Sequence, residues 1–207
     1  MEKNPSALSH LCVIDEGVGK GDYNRDKYAE GLPLHYHLTR ESNMDISTIK
    51  ILVEAYPEAL TTCDDDTRAT PIHTLVCNPT IGELYDILQF LVEAEPSSLR
   101  LTDGNDRGPL HFACVNKKID SKIVKLILDV WPESILQRGN CGDLPIHCLC
   151  YNMDLDETAS LEILELLVEM DPQSVMETNM VTFHFTMRPA ENLLNSAKFL
   201  LMPIHSR

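Results

Sequence analysis

Histidine and cysteine are the side chains of this sequence best suited to chemistry, because they bind metals and act in nucleophilic catalysis. They occur at short spacing as His73/Cys77, His111/Cys114 and the cluster Cys141, His147, Cys148 and Cys150. A zinc site needs four such ligands at tetrahedral distance, and a thiol nucleophile needs a base that is itself oriented by a third group. Because the pairs recur at matching places along the chain, we interpret them as structural positions. We therefore expect no catalytic residue, no metal site and no cofactor, with a metal-dependent or thiol enzyme as the alternative.

Two loops match ligand-binding motifs only in part. Residues 103–108 read Asp-Gly-Asn-Asp-Arg-Gly, but Arg107 stands at a ligand position of a calcium loop and Cys114 replaces the required bidentate Glu. Residues 17–20, Gly-Val-Gly-Lys, lack the spacing of a phosphate-binding loop. Neither loop predicts a bound ligand.

An internal repeat explains why the histidines recur. A Pro-Leu/Ile-His triplet occurs four times, with its histidines spaced by 38, 38 and 36 residues at His35, His73, His111 and His147. A second proline lies between the triplets, spaced by 39, 36 and 40 residues at Pro57, Pro96, Pro132 and Pro172. Two markers that share one period indicate repeated structural units that stack on one another.

Each unit is predicted to contain one short and one long helix. The triplet proline fits the first position of a short helix, where its fixed φ is favourable and no hydrogen-bonding N–H is lost. A long helix precedes the second proline, because the residues four, five, six, eight and nine before that proline are apolar in nearly all units. This apolar arc is wide, so we expect the long helix to be buried on more than one side.

Polar residues mark the ends of the long helices. Asp45, Asp120 or Ser121, and Asp156 or Thr158 are predicted N-caps, and residues 80–83, Thr-Ile-Gly-Glu, read as a capping box. The second proline is expected to end each long helix, since the residue before a proline avoids helical geometry. We expect the apolar residue three positions after that proline to fold back onto the stack.

The repeats resemble those of the ankyrin family. Thr70-Pro71-Ile72-His73 is similar to the Thr-Pro-Leu-His tetrapeptide of that family, and Ala113 and Cys114 lie where the family usually has small residues. The resemblance implies an all-α, ankyrin-type repeat solenoid of stacked helix pairs joined by polar turns. The period of 36–40 residues is longer than the roughly 33 residues that are usual in the family.

The resemblance also divides the chain into three parts. Residues 28–178 contain about four ankyrin-like repeats. Residues 1–27 are assigned to an N-terminal cap or flexible segment, and residues 179–207 to a degenerate fifth repeat or a C-terminal capping helix.

The turns between units carry the candidate binding residues. They are rich in Asp, Asn and Gly, which tolerate tight backbone geometry, and their charges differ between units at matched positions. The family resemblance implies that the turn tips and the short helices form a concave groove for a partner. The candidate set is Asp65, Asp66, Arg68, Asp103, Asn105, Arg107, Phe112, Asn116, Arg138, Asn140, Asp143 and Tyr151. We expect Arg107, Phe112 and Tyr151 to contribute most to binding.

Composition narrows the classes of function. The 17 Lys and Arg residues against 32 Asp and Glu residues give a net charge of −15, which disfavours nucleic-acid binding. No apolar run is long enough for a transmembrane helix or typical of a secretory signal, so we expect no membrane insertion. The seven cysteines lack a tight spacing pattern, which predicts free thiols and an intracellular, reducing compartment, either cytoplasmic or nuclear.

Together these features predict a non-catalytic protein-interaction module or scaffold. Its partner is an unidentified protein, and no small-molecule substrate is expected. A fragment of a longer repeat array without independent function is a further alternative. An acid three residues before each second proline forms either a docking strip for a basic partner or, as we interpret it, a solvated face; these acids are Glu54, Glu93, Asp129 and Glu169.

Overall fold

The computed structural model describes residues 33–39, 45–64, 67–79 and 82–177, and these residues form helices and turns but no strand. In this part of the chain, short and long α-helices alternate: α1 (Pro33–Thr39), α2 (Ile46–Ala55), α3 (Pro71–Cys77), α4 (Leu84–Ala94), α5 (Pro109–Val115), α6 (Ser121–Val130), α7 (Pro145–Tyr151) and α8 (Glu157–Met170). A 3₁₀ helix follows each long helix, at Pro57–Thr61, Pro96–Arg100, Pro132–Leu136 and Pro172–Met176. The all-α prediction is confirmed for these residues, whereas the predicted segments 1–27 and 179–207 lie outside them.

The short helices α1, α3, α5 and α7 form one layer of the structure. Each has seven residues and begins at the proline of the Pro-Leu/Ile-His triplet, as the sequence predicts. α3 packs against α1 and α5, and α5 packs against α7. The residue after each proline is buried in the core, at Leu34, Ile72, Leu110 and Ile146.

The long helices form the second layer. Each long helix packs against the short helix of its own unit, and α6 packs against both α4 and α8. Their apolar faces meet the short-helix layer in one continuous hydrophobic core. The described part of the chain is therefore a series of helix pairs whose equivalent helices lie side by side.

The second proline ends each long helix, as predicted. The residue before it, at Tyr56, Glu95, Trp131 and Asp171, leaves helical geometry with φ between −150° and −138°. The following apolar residue is buried in all units, at Leu60, Leu99, Ile135 and Val175, which confirms that the chain folds back. The 3₁₀ helix that carries it was not predicted, because a single 3₁₀ turn has little sequence signature beyond its initial proline.

Aspartates cap three of the long helices. Asp45, Asp120 and Asp156 each accept a hydrogen bond from the backbone N–H two residues later, at 2.9–3.0 Å. The predicted capping box before α4 is wrong at Glu83. That residue is itself the N-cap of a helix that begins at Leu84, and its side chain makes no capping hydrogen bond.

One apolar column of the long helices is less buried than predicted. It consists of the residues six positions before the second proline, Ile51, Phe90, Leu126 and Leu166. Phe90, Leu126 and Leu166 are half-buried, and Ile51 is 65% exposed. The prediction fails here because this column lies at the border between the solvent and a neighbouring unit. The four acids listed above are exposed, as expected of a solvated face.

The turns between units share one backbone conformation. A backbone hydrogen bond of 2.9 Å closes each turn, from Asp64 to Ala69, from Asp103 to Arg107 and from Gly139 to Asp143. The residue before the last of each turn has a positive φ: 57° at Arg68, 59° at Asp106 and 76° at Gly142. Only glycine adopts this geometry without a steric cost.

We expect Gly142→Ala to lower the free energy of unfolding by about 1 kcal/mol, because an alanine at positive φ is strained. A Cβ at Gly142 would meet no atom within 4 Å, so the loss reports backbone strain alone. Gly82→Ala is the matched control, since its Cβ is equally free and no positive φ is present. Equal urea-denaturation midpoints for the two variants would contradict the strain argument.

Candidate functional site

Three buried histidines connect successive units, and we call them the bridging histidines: His73, His111 and His147. In each, Nδ1 accepts a hydrogen bond from the backbone N–H of the N-cap residue of its own short helix, at 3.0–3.2 Å. The other ring nitrogen, Nε2, lies 3.1–3.2 Å from a backbone carbonyl oxygen: that of Arg107 or Asp143 in the next turn for the first two, and that of Glu177, directly after the last 3₁₀ helix, for His147. Each imidazole thus joins the start of one short helix to the backbone beyond the next 3₁₀ helix.

This geometry requires neutral imidazoles. Because Nδ1 accepts a hydrogen bond, the proton resides on Nε2 and is donated to the carbonyl oxygen. Burial lowers the pKa of His73 to about 3, and it also lowers the pKa of His111 and His147. The equivalent His35 in α1 is buried as well, and its pKa is lowered for the same reason.

The bridging histidines are poorly placed to bind a metal. Both ring nitrogens of each one face protein groups, so none offers a free lone pair to a cation. Among the residues that the structure describes, no group of three or more His, Cys, Asp or Glu side chains is placed to hold a metal ion. The recurrent histidines therefore have a structural explanation in this part of the chain.

Asparagines connect the same helices at their other end. Asn78, Asn116 and Asn152 are the C-cap residues of α3, α5 and α7. Each donates a side-chain N–H to a carbonyl oxygen of the preceding short helix, on Leu38, Val76 and Cys114, at 2.8–3.0 Å. Sequence analysis missed this role, although each asparagine follows a triplet histidine by five residues and so repeats with the period.

The buried cysteines are unsuited to nucleophilic catalysis. Cys114, Cys148 and Cys150 are free thiols in the core, and burial raises the pKa of all three, to about 11 at Cys150. A reactive thiol needs a lowered pKa and access to substrate. Cys63 and Cys141 are also free thiols but are only partly buried.

Buried aspartates accept hydrogen bonds from within two of the turns. Asp64 accepts from the backbone N–H of Thr67 at 2.5 Å and also from its hydroxyl group. Asp103 accepts from the N–H groups of Asn105 and Arg107 at 2.9 and 2.8 Å. Both carboxylates are buried, so Asp103 stabilises its turn and does not present its side chain to a partner.

Neighbouring turns are also joined at their tips. The Gly104 N–H donates to the Thr67 carbonyl oxygen at 2.7 Å, and the Asn140 N–H donates to the Asn105 carbonyl oxygen at 2.8 Å. The side-chain amide of Asn140 donates to the Asn105 side-chain oxygen at 3.2 Å. The tips therefore form one connected edge along the described units.

Arg107 and Asp143 form an ion pair beneath this edge. The Arg107 Nε lies 3.3 Å from Asp143 Oδ2, and the two side chains are 17% and 7% exposed. The Cys148 thiol donates to the same carboxylate oxygen at 3.5 Å. The two charges therefore compensate each other within the fold, and only 17% of the Arg107 side chain is left exposed to a partner.

The remaining predicted binding residues differ in exposure. Arg68, Asn105, Arg138 and Asn140 are exposed at the turns, and Arg138 pairs with Glu177 at 2.6 Å. Phe112 and Asn116 are 4% and 3% exposed, so their side chains leave little surface for a partner. Phe112 packs its ring edge against His73, and the Asn116 amide caps a helix carbonyl. Tyr151 is half-buried, and Asp65 and Asp66 lie outside the described residues.

Comparison with known proteins identified no related protein by sequence. No protein-family model matches the chain, and no curated protein matches it in sequence. Within the described ranges, no helix is long and apolar enough to cross a membrane.

We expect the protein to lose stability as the pH falls below 6.5. The unfolded histidines then bind protons that the folded, buried ones do not, so the free energy of unfolding decreases until the folded pKa is reached. His73 alone should contribute a loss of about 2–3 kcal/mol by pH 4.5, given its pKa of about 3. Urea denaturation between pH 7.5 and 4.5 measures this loss. A variant His73→Gln should show a shallower pH dependence, and identical slopes would contradict the assignment.

The rate of thiol labelling should distinguish the partly buried cysteines from the buried ones. With iodoacetamide at pH 7.5, we expect Cys63 and Cys141 to react while Cys114, Cys148 and Cys150 stay unmodified until the protein is denatured, because buried thiols with raised pKa values supply little thiolate. Peptide mass spectrometry identifies the labelled sites. Rapid labelling of Cys148 in the native protein would instead revive the thiol-enzyme alternative.

Proposed function

We propose that this chain is an ankyrin-type repeat solenoid that acts as a non-catalytic protein-interaction module. Four features support the fold proposal: the repeated helix pairs, the short helices opened by proline, the histidine bridges and the connected turns. Cys63, Cys114, Cys141, Cys148 and Cys150 are free thiols, which fits a reducing compartment, cytoplasmic or nuclear, whereas Cys77 is disulfide-bonded, contrary to the expectation of free thiols throughout. The raised thiol pKa values argue against catalysis by the buried cysteines.

The connected edge of turn tips is the observation that carries the functional proposal. Hydrogen bonds within and between turns fix the backbone at Thr67, Gly104, Asn105 and Asn140 before any partner arrives. A surface that is already ordered loses little conformational entropy on binding. We therefore propose that binding uses the exposed side chains that this ordered backbone carries.

The exposed tip residues define the chemistry of this proposed surface. Arg68 and Arg138 place two guanidinium groups on a chain whose net charge is −15, and Asn105 and Asn140 add amides between them. Arginine is enriched at binding hot spots because it hydrogen-bonds and packs at once. We propose that the partner is a protein and that it places acidic or polar groups opposite the arginines.

The test is a charge reversal at the tips, Arg68→Glu together with Arg138→Glu. Affinity capture from a lysate should recover a protein on wild type and at least tenfold less on this variant, because like charges then face the partner. Arg107 is left unchanged because its side chain is only 17% exposed, whereas Arg138 is 46% exposed and its ion pair with Glu177 lies at the surface.

The matched control is Lys122→Glu together with Lys125→Glu on the solvent face of α6. It changes the net charge by the same amount and also breaks an exposed ion pair, that of Lys122 with Asp120 at 4.0 Å. The control should retain the partner, and circular dichroism should show equal helicity in both variants. Equal recovery on wild type and the tip variant, or equal loss on both variants, would overturn the assignment to the tips.

A further inference from the structure

A cluster of exposed lysines lies around the start of α6, and we call it the lysine patch: Lys117, Lys118, Lys122 and Lys125. The first two belong to the loop between α5 and α6, and the last two lie on α6 itself. Residues three positions apart on a helix project from the same side. Four of the 17 Lys and Arg residues thus fall within residues 117–125 of a chain whose net charge is −15.

The positive charge is specific to this unit. In the next unit, residues 153–165 follow the C-cap asparagine of α7 and contain five acids but no Lys or Arg. In the preceding unit, the equivalent residues 79–89 contain two acids and again no Lys or Arg. The helix pair folds with acidic or neutral residues at these places, so the repeat itself does not require the lysines.

Few acids of the described structure contact the patch. The Lys122 amine lies 4.0 Å from the Asp120 carboxylate, and the two side chains are 75% and 56% exposed. The Glu162 carboxylate accepts a hydrogen bond from the Ser121 hydroxyl at 3.0 Å, which places it beside the start of α6. The other three lysines form no ion pair with a described residue. Four ammonium groups against these two acids leave an excess of positive charge.

Hydrogen bonds fix the backbone that carries the lysines. The Asn116 side-chain oxygen accepts from the Lys118 N–H at 2.9 Å, while the Asn116 amide donates to the Val76 carbonyl oxygen at 2.8 Å. The Asp120 carboxylate accepts from the Lys122 N–H at 2.9 Å. The loop and the start of α6 are therefore ordered before binding, which lowers the conformational entropy lost when a partner docks.

We propose that the lysine patch is a second interaction surface, which binds the carboxylates of an acidic segment of a partner protein. Carboxylates placed opposite the ammonium groups would relieve the repulsion between the clustered lysines. The patch contains no arginine and so lacks the planar group that binds phosphate through two hydrogen bonds. The net charge of −15 repels long polyanions, so a short acidic segment fits better than a nucleic acid.

The patch is separate from the turn tips. Lys117 and Lys118 follow the C-terminal end of α5, whereas the turn at residues 103–107 precedes its N-terminal end. The two surfaces therefore lie at opposite ends of one short helix, and this inference goes beyond the proposed function of the tips.

Titration of the full chain with deca-glutamate, followed by two-dimensional amide NMR spectra in about 100 mM salt, tests the assignment. We expect a saturable shift of the amide signals of residues 117–125. Lys122→Glu together with Lys125→Glu should lower the affinity, read at the signals of Lys117 and Lys118, by at least about tenfold, because like charges then face the peptide. Raising the salt to about 500 mM should also weaken binding, since exposed charge pairs are screened.

The matched control is the tip variant, Arg68→Glu together with Arg138→Glu, which changes the net charge by the same amount. Its affinity at the signals of Lys117 and Lys118 should stay within about twofold of wild type, because salt screens distant charges. Equal loss on both variants would overturn the proposal, since net charge would then set the affinity. An absence of shifts in residues 117–125 would also overturn it. So would tighter binding of an RNA duplex or of phosphatidylserine vesicles at the same signals. None of these outcomes bears on the tip surface, which is tested by its captured partner.

Discussion

A neutral imidazole between two backbone groups is the interaction on which the described architecture depends. His73, His111 and His147 each accept a hydrogen bond from the N-cap N–H of their own helix and donate one to a backbone carbonyl oxygen beyond the following 3₁₀ helix. The N-cap residues Thr70, Gly108 and Leu144 are buried, and leaving such a backbone N–H without a partner would cost about 1–3 kcal/mol. The short helix, the turn and the next unit are therefore fixed together by one side chain.

The other repeated polar residues complete this scheme. The C-cap asparagines fix the opposite ends of the short helices, and Asp64 and Asp103 fix the backbone of the turns. Because these polar side chains satisfy buried backbone groups, the surface that remains for a partner consists of the residues at the outer edge of the turns. Arg68 and Arg138 belong to that edge, whereas Arg107 lies beneath it.

Stacking also explains which apolar residues are covered. A column such as Ile51, Phe90, Leu126 and Leu166 has one chemical character, but its exposure depends on the neighbour that each unit has. The pattern of a single helix cannot distinguish an internal unit from a terminal one. The exposure of Ile51 therefore could not be predicted from the apolar pattern of its own helix.

The sequence by itself determined the units of this protein. The two prolines act through local backbone geometry, so the start of each short helix and the end of each long helix were predicted correctly. Asp45 was predicted as an N-cap, and Asp120 and Asp156 were each one of two predicted candidates. Only the tertiary structure decided which polar residues serve the fold. Asp103, Arg107, Asn116 and Phe112 resemble surface residues in sequence, but their partners lie in their own turn's backbone or in a unit more than 30 residues away. Burial and pKa are set by the partners that stacking brings together, and no local pattern encodes those partners.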